Sequence, residues 1–156
     1  MHATINELTK LIQDFSLKIN AIPEPEFSAK KNLHQWSKKE VLGHLIDSGQ
    51  NNLRRFICGQ YEATPPKIVY DQDSWVNLNA YQQTDSKEVI ILWKLINNRI
   101  AAVLEQMPST SYEKECDTGK NSVSLHSLEW LAEDYVKHLK SHLNQIIPNS
   151  FDIVYP

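Results

Sequence analysis

The sequence predicts an all-α protein, a four-helix bundle with a long loop between its second and third helices. Three observations carry this expectation. Four stretches repeat apolar residues at the 3.6-residue period, and no stretch of comparable length alternates as a half-buried strand would. Only four glycines occur in 156 residues, too few for a turn-rich β architecture. A chain of this length is most simply one domain with a real core, here spanning residues 1–156.

The first helix opens at a capping box, Thr4-Ile-Asn-Glu7, and carries Ile5, Leu8, Leu11, Ile12, Phe15 and Ile19 on one face. Pro23 and Pro25 end it and begin a linker; Lys30 to Gln35 is polar and uninformative. Ser37 and Glu40 form a second capping box, with Trp36 and Val41 placed as its hydrophobic staple. The helix they open bears Val41, Leu42, Leu45, Ile46, Leu53, Phe56 and Ile57 and is expected to end at Gly59. His44 lies on its Val41/Ser48 flank, and by periodicity alone it belongs on the surface.

Residues 60–84 have no clean period. A loop of this length in a compact domain carries function or a short helix of its own, and 73–81 is the stretch for such a helix. Tyr70, Trp75 and Tyr81 read as aromatics that pack the loop onto the bundle. Asp85-Ser-Lys-Glu88 caps the third long helix, with Val89, Leu92, Trp93, Ile96, Ile100, Val103 and Leu104 in its stripe. The interval 109–123 turns at Gly119 and holds either a short hairpin or nothing regular. Ser124 is a plausible cap for the fourth helix, whose stripe is Leu128, Leu131, Tyr135, Leu139, Leu143 and Ile146. The tail from Phe151 to Pro156 is apolar enough to fold back onto the body.

A net charge of −3 and a pI near 6.1 argue against a general nucleic-acid binder, which needs a basic stripe. The lysines at 30, 31, 38 and 39 read as a solvated helix entrance. No apolar run approaches the roughly 20 residues that span a bilayer, and the N-terminal residues lack the basic and apolar regions of a signal peptide. The expected location is the cytoplasm, with no membrane partner. Cys58 and Cys116 are far apart and form no CxxC pair, so neither a disulfide framework nor a cysteine-based zinc site is indicated.

The chemistry gathers on the fourth helix. His138 and His142 stand four residues apart, about 40° from each other on the helical wheel, so both imidazoles can meet at one point. That is the geometry of two ligands to one metal ion. His2, His34 and His126 have no such partners and read as surface residues.

Three segments in this order resemble the DinB/YfiT-like superfamily of small four-helix bundles. They are Trp36-Ser37 to His44-Leu45-Ile46-Asp47, Tyr70-Asp71-Gln72-Asp73-x-Trp75-Val76, and Asp134-Tyr135-x-x-His138-x-x-x-His142. The resemblance implies one divalent metal ion, zinc or nickel foremost, held by His44, His138 and His142. It also implies a small-molecule substrate, in some members a low-molecular-weight thiol as co-substrate, and a homodimer. Three neutral imidazoles leave at least one coordination position open. At that position a metal can acidify water for hydrolysis, or bind a thiol in its nucleophilic form for S-transfer. The expected function is therefore a metal-dependent hydrolase or thiol transferase. The alternative is a binding or stress-response module on the same bundle without turnover.

Ligating imidazoles usually donate their second N–H to a carboxylate or carbonyl. Asp134, four residues before His138, and Asp47, three after His44, are placed for this. Tyr70, Asp71 and Asp73 are candidates for a general acid or base.

Overall fold

The computed structural model describes residues 1–32 and 34–155 of the chain. Leu33, in the polar linker, and Pro156, at the end of the tail, lie outside the described residues. The elements are α1 (His2–Asn20), α2 (Glu24–Phe27), α3 (Lys38–Tyr61), α4 (Gln72–Leu78), α5 (Ser86–Gln106), a 3-10 turn (Ser109–Ser111), β1 (Glu115–Asp117), β2 (Leu125–Ser127) and α6 (Leu128–Ile146). The four long helices are α1, α3, α5 and α6. Each of α1 and α3 packs against both α5 and α6, which sets α1 and α3 on a diagonal of the bundle. Successive long helices are thus not all neighbours, and the linker 21–37 must cross an end of the bundle.

The start of α3 follows from its sequence. The Ser37 hydroxyl accepts from Glu40 N–H at 3.1 Å and the Glu40 carboxylate accepts from Ser37 N–H at 2.8 Å, closing the capping box. Lys30 holds the other Glu40 oxygen at 2.7 Å, while Lys38 and Lys39 pair with Glu26 and Glu24. Lys39 is buried rather than solvated, its ammonium also donating to Thr84 O at 2.9 Å.

Several boundaries differ from the expected ones. α1 begins at His2, with Ile5 N–H donating to Met1 O, so Thr4 lies inside the first turn and caps nothing. α3 runs past Gly59 to Tyr61. A Cβ at Gly59 would stand 2.7 Å from Leu128 Cδ2 and 3.1 Å from Cys116 Sγ, so this glycine permits a close approach rather than a cap. Ser127, not Ser124, caps α6 by accepting from Trp130 N–H. Ser124 instead serves the hairpin, its N–H donating to Asp117 beside that of Gly119. β1 and β2 pair antiparallel with Cys116 opposite His126, settling the open question over 109–123. His126 is half-buried against Trp130, ring centroids 3.9 Å apart.

The connection from 62 to 85 holds α4, whose N-cap Asp71 accepts from Ser74 N–H at 2.8 Å. It is pinned to α3 through Tyr81, whose hydroxyl donates to Asp47 at 2.6 Å and whose ring covers Gly43. The core beneath is closed by Trp93, Tyr135, Phe27 and Phe56, all fully buried. The tail folds back as expected: Phe151 stacks on Phe15, and the Asn144 side chain pairs with both backbone groups of Phe151. Cys58 and Cys116 are free thiols.

A Cβ at Gly43 would lie 2.1 Å from Tyr81 Cδ2, so that ring must leave for any larger residue to fit. Gly43→Ala is expected to lower stability by about 1–3 kcal/mol, the usual cost of overpacking. Chemical denaturation beside Tyr81→Phe checks it, since the two effects overlap and should add to less than their sum.

Candidate metal centre

α3 and α6 meet at three imidazoles. The capping box fixes where α3 starts and so puts His44 at the end of its second turn; α6 delivers His138 and His142 one turn apart. Ring centroids lie 5.2 Å apart for His44–His138, 4.6 Å for His44–His142 and 4.5 Å for His138–His142. One ligand nitrogen from each ring falls within 4.8 Å of the other two. His44 Nε2 and His138 Nε2 face each other at 3.2 Å. Among the described residues this is the one cluster of His, Cys, Asp or Glu close enough to hold an ion.

His44 is not on the surface. It is 1% exposed, and the reason is the packing of its helix. The apolar stripe of α3 marks only part of what is covered, because α5, α6 and α4 all lie against this helix. From Lys39 to Asn52 almost every residue is buried, including His44, Asp47, Ser48, Asn51 and Asn52.

Desolvation favours the neutral form of all three rings, of which His44 is buried and His138 and His142 half-buried. It lowers the pKa of His44 to about 4, with His142 adding to the effect. It takes His138 well below the ordinary range, reinforced by His142, His44 and Arg55. His142 is also lowered by burial, the Gln145 side chain partly opposing the shift. Desolvation disfavours the charged form, and a neutral imidazole is the form that ligates a metal.

The residues fit a divalent ion. The Nδ1 atoms of His44 and His142 are buried and have no hydrogen-bond partner, while His44 Nε2 faces only another ring nitrogen. A buried cluster with unmet lone pairs costs free energy unless something accepts them. A cation contacting one nitrogen of each ring meets that need.

The expected carboxylate partners are engaged elsewhere. Asp134 accepts the Tyr155 hydroxyl on both oxygens, at 3.1 and 3.0 Å. Asp47 accepts from Tyr81 and Asn79 on one oxygen, its other oxygen buried and unpartnered. The side chain beside His138 Nδ1 is Ser48 Oγ, at 3.4 Å. Asp71 is an N-cap and Asp73 is exposed, whereas Tyr70 is half-buried, edge-on to Trp75. Burial raises the Tyr70 pKa against the opposing influence of Ser48 and Arg55.

Two walls escaped the sequence reading. Trp36 lies 5.1 Å from the His44 ring and also lines a cleft of about 900 Å³ shared with Lys31, His34, Gln72, Asn144 and Gln145. Tyr155 lies 5.6 Å from the His138 ring. The Trp36 position was readable as a staple, but its contact with His44 depends on the path of the linker.

The chain has relatives among known proteins. The DinB superfamily family model matches residues 1–146. A Bacillus cereus protein named "Putative metal-dependent hydrolase" is 24% identical over 140 residues, 87% of this chain and 77% of that one. The YfiT protein of Bacillus subtilis, similarly named, is 25% identical over 112 residues, 67% of this chain and 62% of its own. The solved structure of that YfiT, described as a four-helix bundle of unusual topology, superposes with a TM-score of 0.82 at 21% identity, covering 93% of this chain and 82% of that one. A mycothiol-dependent maleylpyruvate isomerase superposes at 0.71 with 9% identity, covering 91% and 60%.

Asp47 supplies a pH test. Burial raises its pKa to about 6, although Tyr81 and Asn79 oppose the shift. A group raised in the folded state contributes fully below its unfolded pKa near 3.9 and loses that contribution as pH rises through about 6. Asp47→Asn keeps an acceptor for Tyr81 and carries no charge. In metal-free protein it is expected to be about 1–3 kcal/mol more stable than wild type at pH 8, the advantage vanishing below pH 4. Urea unfolding across that range measures it.

Proposed function

This chain belongs to the DinB superfamily, and on that footing we propose that it is a divalent-metal-dependent enzyme, a hydrolase or a thiol S-transferase. His44, His138 and His142 would hold the ion. The observation that carries the reading is the convergence of three imidazoles, His44 buried and His138 and His142 half-buried, whose ligand nitrogens lie within 4.8 Å of one another and whose surroundings favour the neutral form. The names of the Bacillus relatives support the hydrolase; the thiol requirement in the name of the isomerase with the same fold supports the transferase.

A bound zinc or nickel ion supplies a Lewis acid that favours deprotonation of water or of a thiol at neutral pH. The chain does the rest. The three imidazoles, fixed on two packed helices, present lone pairs without having to shed protons. The Trp36 ring lies against His44, between it and the cleft that Trp36 lines, and the Tyr155 ring lies against His138. Ser48 Oγ, 3.4 Å from His138 Nδ1, can accept a hydrogen bond from an Nδ1–H and so leave Nε2 as the ligand. Three protein ligands leave room for substrate, which is what separates a catalytic site from a closed structural one.

Elemental analysis of untagged protein tests this first. About one divalent ion per chain is expected in wild type and none in His138→Ala, both after reconstitution. Loading is also expected to raise the Tm of wild type, because an ion that binds only the folded state stabilises it, and to leave His138→Ala unmoved. Wild-type protein that takes up no ion would sink the reading.

A further inference from the structure

The face of α3 that carries His44 continues away from the centre as a polar line: Ser48, Asn52 and Arg55 follow at 4, 8 and 11 residues. On α6 the facing residues run the other way, from His142 and His138 to Asp134. Arg55 stands about 16 Å along the helix axis from His44, but its guanidinium folds back and Nη1 donates to Asn52 Oδ1 at 3.2 Å.

Nε and Nη2 both donate to Ile68 O, at 3.2 and 2.8 Å, and these bonds hold the guanidinium plane in place. Two of its five N–H groups remain, one on each terminal nitrogen. Among the described residues no carboxylate lies within the 4.0 Å of an ion pair with it. Asp134 draws on it only at longer range and already takes the Tyr155 hydroxyl on both oxygens. The phenols of Tyr70 and Tyr155 and the thiol of Cys116 are its other electrostatic neighbours.

Arg55 is half-buried, and a cation partly withdrawn from water without an anion is costly. Two free N–H groups on a fixed guanidinium are what a carboxylate engages two-pronged. We propose that Arg55 is the anchor for a carboxylate of the substrate, so that the centre acts on small anionic molecules whose carboxylate lies on the order of 10 Å from the reacting atom. This inference rests on the metal centre proposed above. Tyr70 and Tyr155 are neighbours of the guanidinium, and the Tyr155 ring also lies 5.6 Å from that of His138.

The test uses cobalt(II)-loaded protein and a series of ω-mercaptoalkanoates, each paired with the ω-mercaptoalcohol of equal length. Binding is read from the thiolate-to-cobalt charge-transfer band. In wild type at least one acid is expected to bind about tenfold or more tightly than its alcohol, with an optimum chain length. Arg55→Met should lose that preference while binding the alcohols unchanged, and Arg55→Lys should keep part of it. Equal binding of acids and alcohols by wild type, or a preference that survives in Arg55→Met, would overturn the proposal. The same acids titrated into metal-free protein, followed by the Arg55 Nε–H signal in NMR, decide the point independently. Failure to take up cobalt would therefore count against the metal centre, while an unmoved Arg55 signal would count against the anchor.

Discussion

The contact of α3 with α6 through His44, His138 and His142 is the constraint on which the rest depends. Three imidazoles within 4.8 Å of one another would repel if all were charged. The bundle buries His44 and half-buries His138 and His142, and this desolvation favours the neutral form of each. Neutrality removes their mutual repulsion and leaves their lone pairs unspent. The same desolvation that makes the cluster costly to fold makes it ready to ligate.

The cost shows in the composition of α3. A helix at the middle of a bundle is ordinarily apolar on its covered faces, yet this one buries Asp47, Ser48, Asn51 and Asn52 along with His44. Much of that polarity is satisfied locally: Asn51 and Asn52 donate back to the carbonyls of Asp47 and Ser48. Buried atoms left without a partner include His44 Nδ1, Asp47 Oδ2 and Asn51 Oδ1 on α3 and His142 Nδ1 on α6, with Ser86 Oγ and Trp93 Nε1 on α5. Stability comes instead from the apolar layers around Trp93, Phe56 and Leu139, which tolerate a polar seam because they close above and below it.

The four long helices were legible because their signals are local. Capping boxes, prolines and the 3.6 period act within a few residues, and the box at Ser37 to Glu40 formed as read. The pair His138/His142 was legible for the same reason, being one turn of one helix. His44 was not. Its burial is decided by how many neighbours α3 has, and a helical wheel describes a helix with one covered side. Only the resemblance of the ordered segments placed it in the site. The roles of Asp47 and Asp134 were misjudged because i, i+3 and i, i+4 spacing permits a contact without selecting it. Tyr81 and Tyr155, from 34 and 21 residues away, reach those carboxylates instead. Arg55 carried a readable sign, its place on the His44 line of α3, but nothing local shows that a guanidinium will be held by Ile68 O.

The ligands and the walls of this centre therefore come from different levels of the structure. His44, His138 and His142 sit on long helices, whose positions are set by the whole core and can shift little without opening cavities. Trp36, Tyr70 and Tyr155 sit on the linker, the 62–85 connection and the tail, each held by a few contacts such as Tyr81 on Asp47 or Asn144 on Phe151. Changing a wall costs little of the bundle's stability, whereas moving a ligand costs much of it. A candidate metal site built this way would keep its three imidazoles in place while the shape and charge around it are free to differ. Arg55 is the informative exception: it determines charge from within α3, so the anionic preference it confers is as firmly fixed as the ligands themselves.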